Sequence, residues 1–169
     1  LEEYTDPIPG VIPTLEKLRA EGLKIGSTTG YTREMMDVVL PAALAKGYCV
    51  DYCATPNLLP AGRPAPYMIF ENMIKLGVPC LDTVVKVGDT IADIKEGVNA
   101  KVWSVGVILG SNEMGLTEEE TDNLTADELE DRMVEVRNRM LEAGASYVIR
   151  NIEELPALIQ TINLKMNTL

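Results

Sequence analysis

Two aspartates four residues apart, Asp89 and Asp93, are the residues of this chain best suited to chemistry. They follow a mostly apolar run at 84–87 that is typical of a buried strand, and Gly88 permits a sharp turn at its end. If a helix begins at this turn, the two carboxylates lie one helical turn apart and can face the same point. Because Mg²⁺ is usually held by one or two carboxylates with phosphate oxygens and water, the pair predicts a magnesium site. The alternative is a helix cap, in which Asp89 or Thr90 accepts a backbone N–H and Asp93 is merely solvated.

Two other polar groups are typical of a phosphate site. Thr29 and Gly30 precede a predicted helix, where a hydroxyl and free backbone N–H groups can bind an anion. Arg63 lies between Gly62 and Pro64 in a proline-rich loop, which would hold it as a clamp for phosphate oxygens. The alternatives are that a threonine only caps the helix, as Thr29 or Thr32, and that Arg63 is an ordinary surface arginine.

The elements that must position these residues alternate between helix and strand. Apolar periodicity and turn residues predict helices at 12–21, 33–46 and 67–76, a short helix ending near 97, and strands at 23–28, 52–54, 84–87 and 102–108. This order predicts an α/β fold, a Rossmann-like parallel sheet with helices on both faces. In such sheets ligands bind beyond the carboxyl ends of the strands, and all three polar groups fall at such ends.

Lys86 is unusual because it lies inside an apolar strand. Either its stem packs and its amine reaches a carboxylate, or the residue lies at a sheet edge; we assign it no catalytic role.

The last third of the chain predicts two capped helices. Thr117 and Thr125 each have a glutamate three residues later, which is a capping box. An apolar stripe follows on the second of these helices: Leu129, Met133, Val136 and Met140. We expect it to pack on the domain, with an oligomer surface as the alternative. A strand at 147–149 and a helix at 152–162 complete a single predicted domain over 1–169.

Charge and composition exclude several kinds of partner. A formal net charge of −11 disfavours nucleic acid but not a small phosphorylated ligand. Apolar runs are too short for a membrane span. The three cysteines, with no histidine, suggest reduced thiols in a cytoplasmic protein rather than disulfides or a zinc site.

The order of these motifs resembles a known superfamily. Thr-Gly after one strand, a basic residue in the next loop and Gly-Asp-Thr-x-x-Asp after another strand are similar to the second, third and fourth motifs of the haloacid dehalogenase superfamily. Longer segments resemble its phosphonatase family: 25–37, 61–64, 86–93, and 105–111 followed by 115–120. The resemblance covers nearly the whole chain, and an arginine in the third motif, where many relatives have lysine, adds to its specificity.

The resemblance implies a reaction and a role for each site residue. Phosphonatases hydrolyse the carbon–phosphorus bond of phosphonoacetaldehyde to acetaldehyde and phosphate with Mg²⁺, through a lysine Schiff base and an aspartyl-phosphate. By resemblance Thr29, Gly30 and Arg63 bind the phosphoryl oxygens. Asp89 is the Mg²⁺ ligand, supported by Thr90 and Asp93. The catalytic set that the resemblance implies is Thr29, Arg63 and Asp93. The family also implies a homodimer.

The sequence departs from the family at its beginning. The first strand with its nucleophilic aspartate, and the helical cap with its Schiff-base lysine, lie in the family upstream of the position of Leu1, and no lysine of this chain matches the cap lysine. The family's sheet order places that first strand between those leading to Thr29 and Asp89. We therefore expect this chain to be the carboxyl-terminal portion of a phosphonatase, without a cap domain. By itself it should be inactive and unstable. The alternatives are another phosphatase or phosphomutase of the superfamily, or a non-catalytic phosphate- or Mg²⁺-binding module.

Overall fold

A computed structural model describes residues 5–168 of the chain. In this part of the chain, helices alternate with parallel strands. The helices are α1 Val11–Ala20, α2 Arg33–Ala45, α3 Tyr67–Leu76, α4 Ile91–Ala100, α5 Glu118–Asp122, α6 Ala126–Glu142 and α7 Leu155–Met166. The strands are β1 Gly26–Thr28, β2 Tyr52–Ala54, β3 Val85–Gly88, β4 Trp103–Val107 and β5 Tyr147–Ile149. The predicted order of elements is therefore confirmed.

The strands form two separate parallel pieces. β1 pairs with β2, while β3, β4 and β5 form the second piece in that order. Within residues 5–168, no strand pairing joins β1 to β3. The edges of β1 and β3 that face each other are therefore unpaired within the described residues.

A groove of about 710 Å³ separates the two pieces. Its walls are β1 with the residues before it and β3 with the residues around it. Apolar side chains of α1 and α7 cover one face, and those of α3 cover the other. At the carboxyl ends of the strands the lining becomes polar: Thr28, Arg63, Lys86, Asp89 and Asp93.

Two apolar clusters hold the larger piece of sheet between helix layers. One cluster contains Leu18, Val105, Val107, Ile149, Leu155 and Ile159. The other contains Ile94, Ile108, Met114, Met133, Val136 and Met140. Burial of such side chains is the main favourable term in folding, so β4 is fixed from both faces.

Some predicted boundaries are wrong, each for a local reason. β1 begins at Gly26 and not at residue 23, because the backbone N–H of Ile25 donates to the Asp51 carboxylate at 2.7 Å. α4 continues past Gly97 to Ala100, where Lys101 adopts a left-handed conformation as the C-cap. Residues 152–154 form a 3-10 turn, so the last helix begins at Leu155 and ends at Met166.

The predicted caps and apolar stripe of the last third of the chain are confirmed. Both capping boxes form, at Thr117 and at Thr125. Met133, Val136 and Met140 of α6 are at most 3% exposed within the second cluster, and Leu129 packs against them. The stripe therefore belongs to the core. No helix in the described part of the chain is long and apolar enough to cross a bilayer.

The open groove predicts low stability for the 169-residue chain alone. Facing strand edges leave backbone N–H and C=O groups unpaired, so the chain lacks the stabilisation that hydrogen bonds between these strands would provide. We expect circular dichroism of the isolated chain to show a broad transition, or a midpoint well below that of the chain extended by the upstream region of its gene. A cooperative melt at high temperature for the isolated chain would contradict this expectation.

Candidate functional site

The amino end of α4 is fixed by a reciprocal cap. The Thr90 hydroxyl accepts the Asp93 N–H at 3.1 Å, and Asp93 Oδ2 accepts the Thr90 N–H at 3.1 Å. The Thr90 hydroxyl also donates to Asp93 Oδ2 at 2.7 Å. The capping alternative is thus correct for Thr90, which satisfies helix donors that would otherwise be unpaired.

The Asp93 carboxylate is not solvated, since the residue is 3% exposed. Its Oδ1 is paired with the Arg63 guanidinium and, at 3.3 Å, with the Lys86 ammonium. Burial acts to raise the pKa of this carboxyl. The charge of Lys86, the hydroxyl of Thr90 and then Arg63 act in the opposite direction and prevail, so the pKa lies below its ordinary value. Asp93 is therefore a buried anion whose two oxygens are already bound.

Asp89 has a more open environment. Its Oδ2 accepts the Asn112 N–H at 3.1 Å, and the half-buried residue lines the groove. The two aspartates do not form a paired-carboxylate site, because Asp93 is engaged with cations. Among residues 5–168 no three acidic, cysteine or histidine side chains are grouped to hold a metal ion. Asp89 is thus the one carboxylate of the predicted pair that remains available as a ligand.

Thr29 and Gly30 follow β1 in a turn that separates them from the helix cap. The Thr29 hydroxyl accepts the Tyr31 N–H at 3.1 Å, while Thr32 caps α2 by accepting the Met35 N–H at 3.4 Å. Of the two threonines, only Thr32 caps the helix. The hydroxyl hydrogen of Thr29 is not committed by that bond, so Thr29 can still donate to an anion.

Arg63 reaches from its loop to both sides of the groove. Its guanidinium pairs with Asp93 on α4, and its Nη2 is 3.3 Å from where a Cβ on Gly30 would lie. Its side chain is 26% exposed. The surface-arginine alternative is wrong: Arg63 places a half-buried cation between the turn after β1 and the start of α4.

The comparison with protein-family models identifies the chain. The model for haloacid dehalogenase-like hydrolases matches residues 1–101. The chain belongs to the haloacid dehalogenase-like hydrolases.

This haloacid dehalogenase-like chain is also similar in sequence and in structure to individual proteins. A phosphonoacetaldehyde hydrolase of Bacteroides fragilis is 84% identical over 99% of the chain and 64% of the relative. A phosphonoacetaldehyde hydrolase of Parabacteroides distasonis is 63% identical over 96% of the chain and 62% of the relative. The crystal structure of a phosphonoacetaldehyde hydrolase-like protein from Oleispira antarctica matches with a TM-score of 0.92 and 34% identity, over 97% of the chain and 59% of that protein. The chain thus spans less than two thirds of the length of these relatives.

In this haloacid dehalogenase-like hydrolase, three polar groups meet at one end of the groove. A cation from Arg63 lies beside the Thr29–Gly30 turn, and the Asp89 carboxylate lies on the opposite wall. Hydroxyl, N–H and guanidinium donors near a carboxylate are groups that can stabilise a phosphoryl group during transfer.

Two residues behind this site, Thr28 and Glu96, were not predicted from the sequence, and both contact Lys86. Lys86 donates to the Thr28 hydroxyl at 2.8 Å and pairs with the fully buried Glu96 at 3.1 Å. Thr28 in turn donates to Glu96 at 3.1 Å. The spacing of Asp93 and Glu96, three residues apart, places both on one face of α4, but it does not indicate that this face is buried. Of the two interpretations of Lys86, the structure supports the amine that reaches a carboxylate.

Gly88 is required by the close approach of the helix. A Cβ on Gly88 would lie 2.2 Å from the Asp93 Cβ, which leaves no room for a methyl group. We expect Gly88→Ala to displace Asp93 and to lower the free energy of unfolding by about 1–3 kcal/mol.

Urea unfolding of the extended protein measures this effect, with Gly62→Ala as the control. A Cβ on Gly62 meets Pro56 at an ordinary 3.4 Å, so this variant should change stability by less than about 0.5 kcal/mol. Equal stability of the two variants would show that a side chain at residue 88 is accommodated without displacing Asp93, against this expectation.

Proposed function

We propose that the protein to which this chain belongs hydrolyses the carbon–phosphorus bond of phosphonoacetaldehyde to acetaldehyde and phosphate. The observation that carries the proposal is the 84% identity to the Bacteroides fragilis enzyme over 99% of the chain. The cation, hydroxyl and carboxylate at the end of the groove support it, because they suit a phosphoryl group.

In this proposal the residues at the carboxyl end of β1 bind the phosphoryl group. The Thr29 hydroxyl and the Gly30 N–H donate to its oxygens, and the outer edge of the Arg63 guanidinium donates to another. The bond to Asp93 orients the Arg63 guanidinium. Because a guanidinium has five N–H donors, others remain available for the substrate. Asp93 acts through Arg63 and through the cap of α4.

The carboxylate of Asp89 suits Mg²⁺. Mg²⁺ is commonly held by one or two carboxylates, with substrate phosphate oxygens and water completing its coordination. Asp89 supplies one carboxylate, oriented by the Asn112 N–H, and Thr90 and Asp93 fix the backbone around it. When bound, the ion would neutralise charge on the phosphoryl oxygens.

We further propose that the nucleophilic aspartate and the Schiff-base lysine come from a segment outside this chain. The groove between β1 and β3 has the position expected for a strand that would carry the aspartate. Lys86 is the lysine nearest the site, but its amine is bound to Thr28, Asp93 and Glu96. An amine engaged in this way is unsuited to attack an aldehyde.

The test uses the chain extended by the upstream region of its gene. Acetaldehyde release from phosphonoacetaldehyde is measured with Mg²⁺ for the wild type, Asp89→Asn and the control Asp131→Asn. Asp131 is an exposed residue of α6, away from the groove. We expect Asp89→Asn to lower kcat by at least about 10²-fold, because a metal ligand is lost, and Asp131→Asn to retain wild-type activity.

Three other outcomes would count against parts of the proposal. Hydrolysis of a sugar phosphate but not of phosphonoacetaldehyde would show that the proposed substrate is wrong. Full activity of Asp89→Asn would reject its role at the metal. Activity of the isolated 169-residue chain would show that its own carboxylates supply the nucleophile.

A further inference from the structure

We propose that Lys86 is a positioning residue that sets the two walls of the phosphoryl site at a fixed separation, with Thr28 and Glu96 as its partners. This inference rests on the proposed phosphoryl-binding role of the site. It assigns Lys86 no contact with the substrate.

The geometry that carries the inference is a junction of three elements at one ammonium group. Lys86 Nζ lies 2.8 Å from Thr28 Oγ1 on β1, 3.3 Å from Asp93 Oδ1 and 3.1 Å from Glu96 Oε2 on α4. The Lys86 side chain is 11% exposed. Three acceptors match the three donors of an ammonium group, so the amine is held from several directions.

Within residues 5–168, no strand pairing connects the two walls at the junction. β1 and β3 belong to different pieces of sheet, with the groove between them. The bond from Lys86 to Thr28 therefore connects the two walls directly. Thr28 immediately precedes Thr29 and Gly30, and Asp93 holds the cap behind Asp89. One ammonium group thus links the anion-binding turn to the carboxylate wall, in addition to the strand that the proposed function places in the groove.

Charge balance explains why these groups can be buried together. Lys86 and Arg63 carry two positive charges, and Asp93 and Glu96 carry two negative charges. Glu96 is 0% exposed, and its Oε2 accepts from both Lys86 and Thr28. A buried carboxylate is tolerated when it is paired in this way, so Glu96 offsets the charge that Lys86 brings beneath the site.

Close packing of α4 brings the junction together. A Cβ on Gly97 would lie 2.8 Å from Ser104 Oγ and 3.1 Å from the Lys86 Cβ. The absence of a side chain there lets the helix approach β3 and β4, which brings Glu96 within reach of the Lys86 amine. This gives a reason for a glycine inside the helix, where it costs stability relative to alanine.

The test measures binding of inorganic phosphate with Mg²⁺ by calorimetry on the extended protein, together with the thermal midpoint of each variant. Thr28→Val removes the hydroxyl at nearly constant volume, Thr28→Ser restores it, and Lys86→Met keeps the stem without the charge. Lys24→Met is the matched control: Lys24 also lines the groove and bonds the Leu76 carbonyl, but it precedes β1 at the opposite end from the site.

We expect Thr28→Val and Lys86→Met to weaken phosphate binding about tenfold or more at a temperature where both are folded, because misplacement by about 1 Å disrupts such a site. Thr28→Ser and Lys24→Met should stay within about twofold of the wild type, and the Thr28→Val/Lys86→Met double variant should match Lys86→Met since both act through one bond.

The inference is overturned if Thr28→Val and Lys86→Met lower the thermal midpoint but bind phosphate like the wild type. It is also overturned if the wild type itself binds no phosphate. Acetaldehyde release by the wild type separates the two proposals. If phosphate binding follows the expected pattern but the wild type releases no acetaldehyde, the proposed reaction is rejected and the positioning role stands. If the wild type releases acetaldehyde but both variants bind phosphate as it does, the reaction stands and the positioning role is rejected.

Discussion

The candidate site depends on the ion pairs of one buried carboxylate. Asp93 accepts from the cap of α4 through Oδ2 and from Arg63 and Lys86 through Oδ1. Removing one partner from such a buried group costs about 3–5 kcal/mol, since an uncompensated charge remains. Because Arg63 and Lys86 come from different elements, the helix, the loop and β3 take up a single arrangement around Asp93.

A second constraint is the break in the sheet. Two parallel pieces face each other across the groove, and their polar ends carry the groups suited to a phosphoryl ligand. The walls are held by helix packing and by the Lys86 junction, without strand hydrogen bonds between β1 and β3. In the proposed reaction, a strand supplied from outside the chain would complete the sheet and place its aspartate between the anion-binding turn and Asp89.

Local sequence signals predicted much of this arrangement. The strand followed by Gly-Asp-Thr-x-x-Asp located the start of α4, and the prolines around Arg63 indicated a fixed loop. The contacts that complete the site could not be predicted in this way. Lys86 and Thr28 are 58 residues apart in sequence, and Glu96 on a helix with charged neighbours has the pattern of a solvated face. Its burial follows from how closely α4 packs on β3, which no local pattern specifies. Likewise a cap at Thr90 was among the alternatives, but the cations that bind Asp93 were not predicted.

The most direct test of the account is a crystal structure of the extended protein with Mg²⁺ and inorganic phosphate. The account predicts phosphate at the carboxyl end of the groove, within hydrogen-bond distance of the Thr29 hydroxyl, the Gly30 N–H and the Arg63 guanidinium. It also predicts Asp89 on the metal, while Asp93 remains bound to Arg63 and Lys86. Phosphate bound elsewhere, or Asp93 released from its cations to bind the metal, would contradict the account.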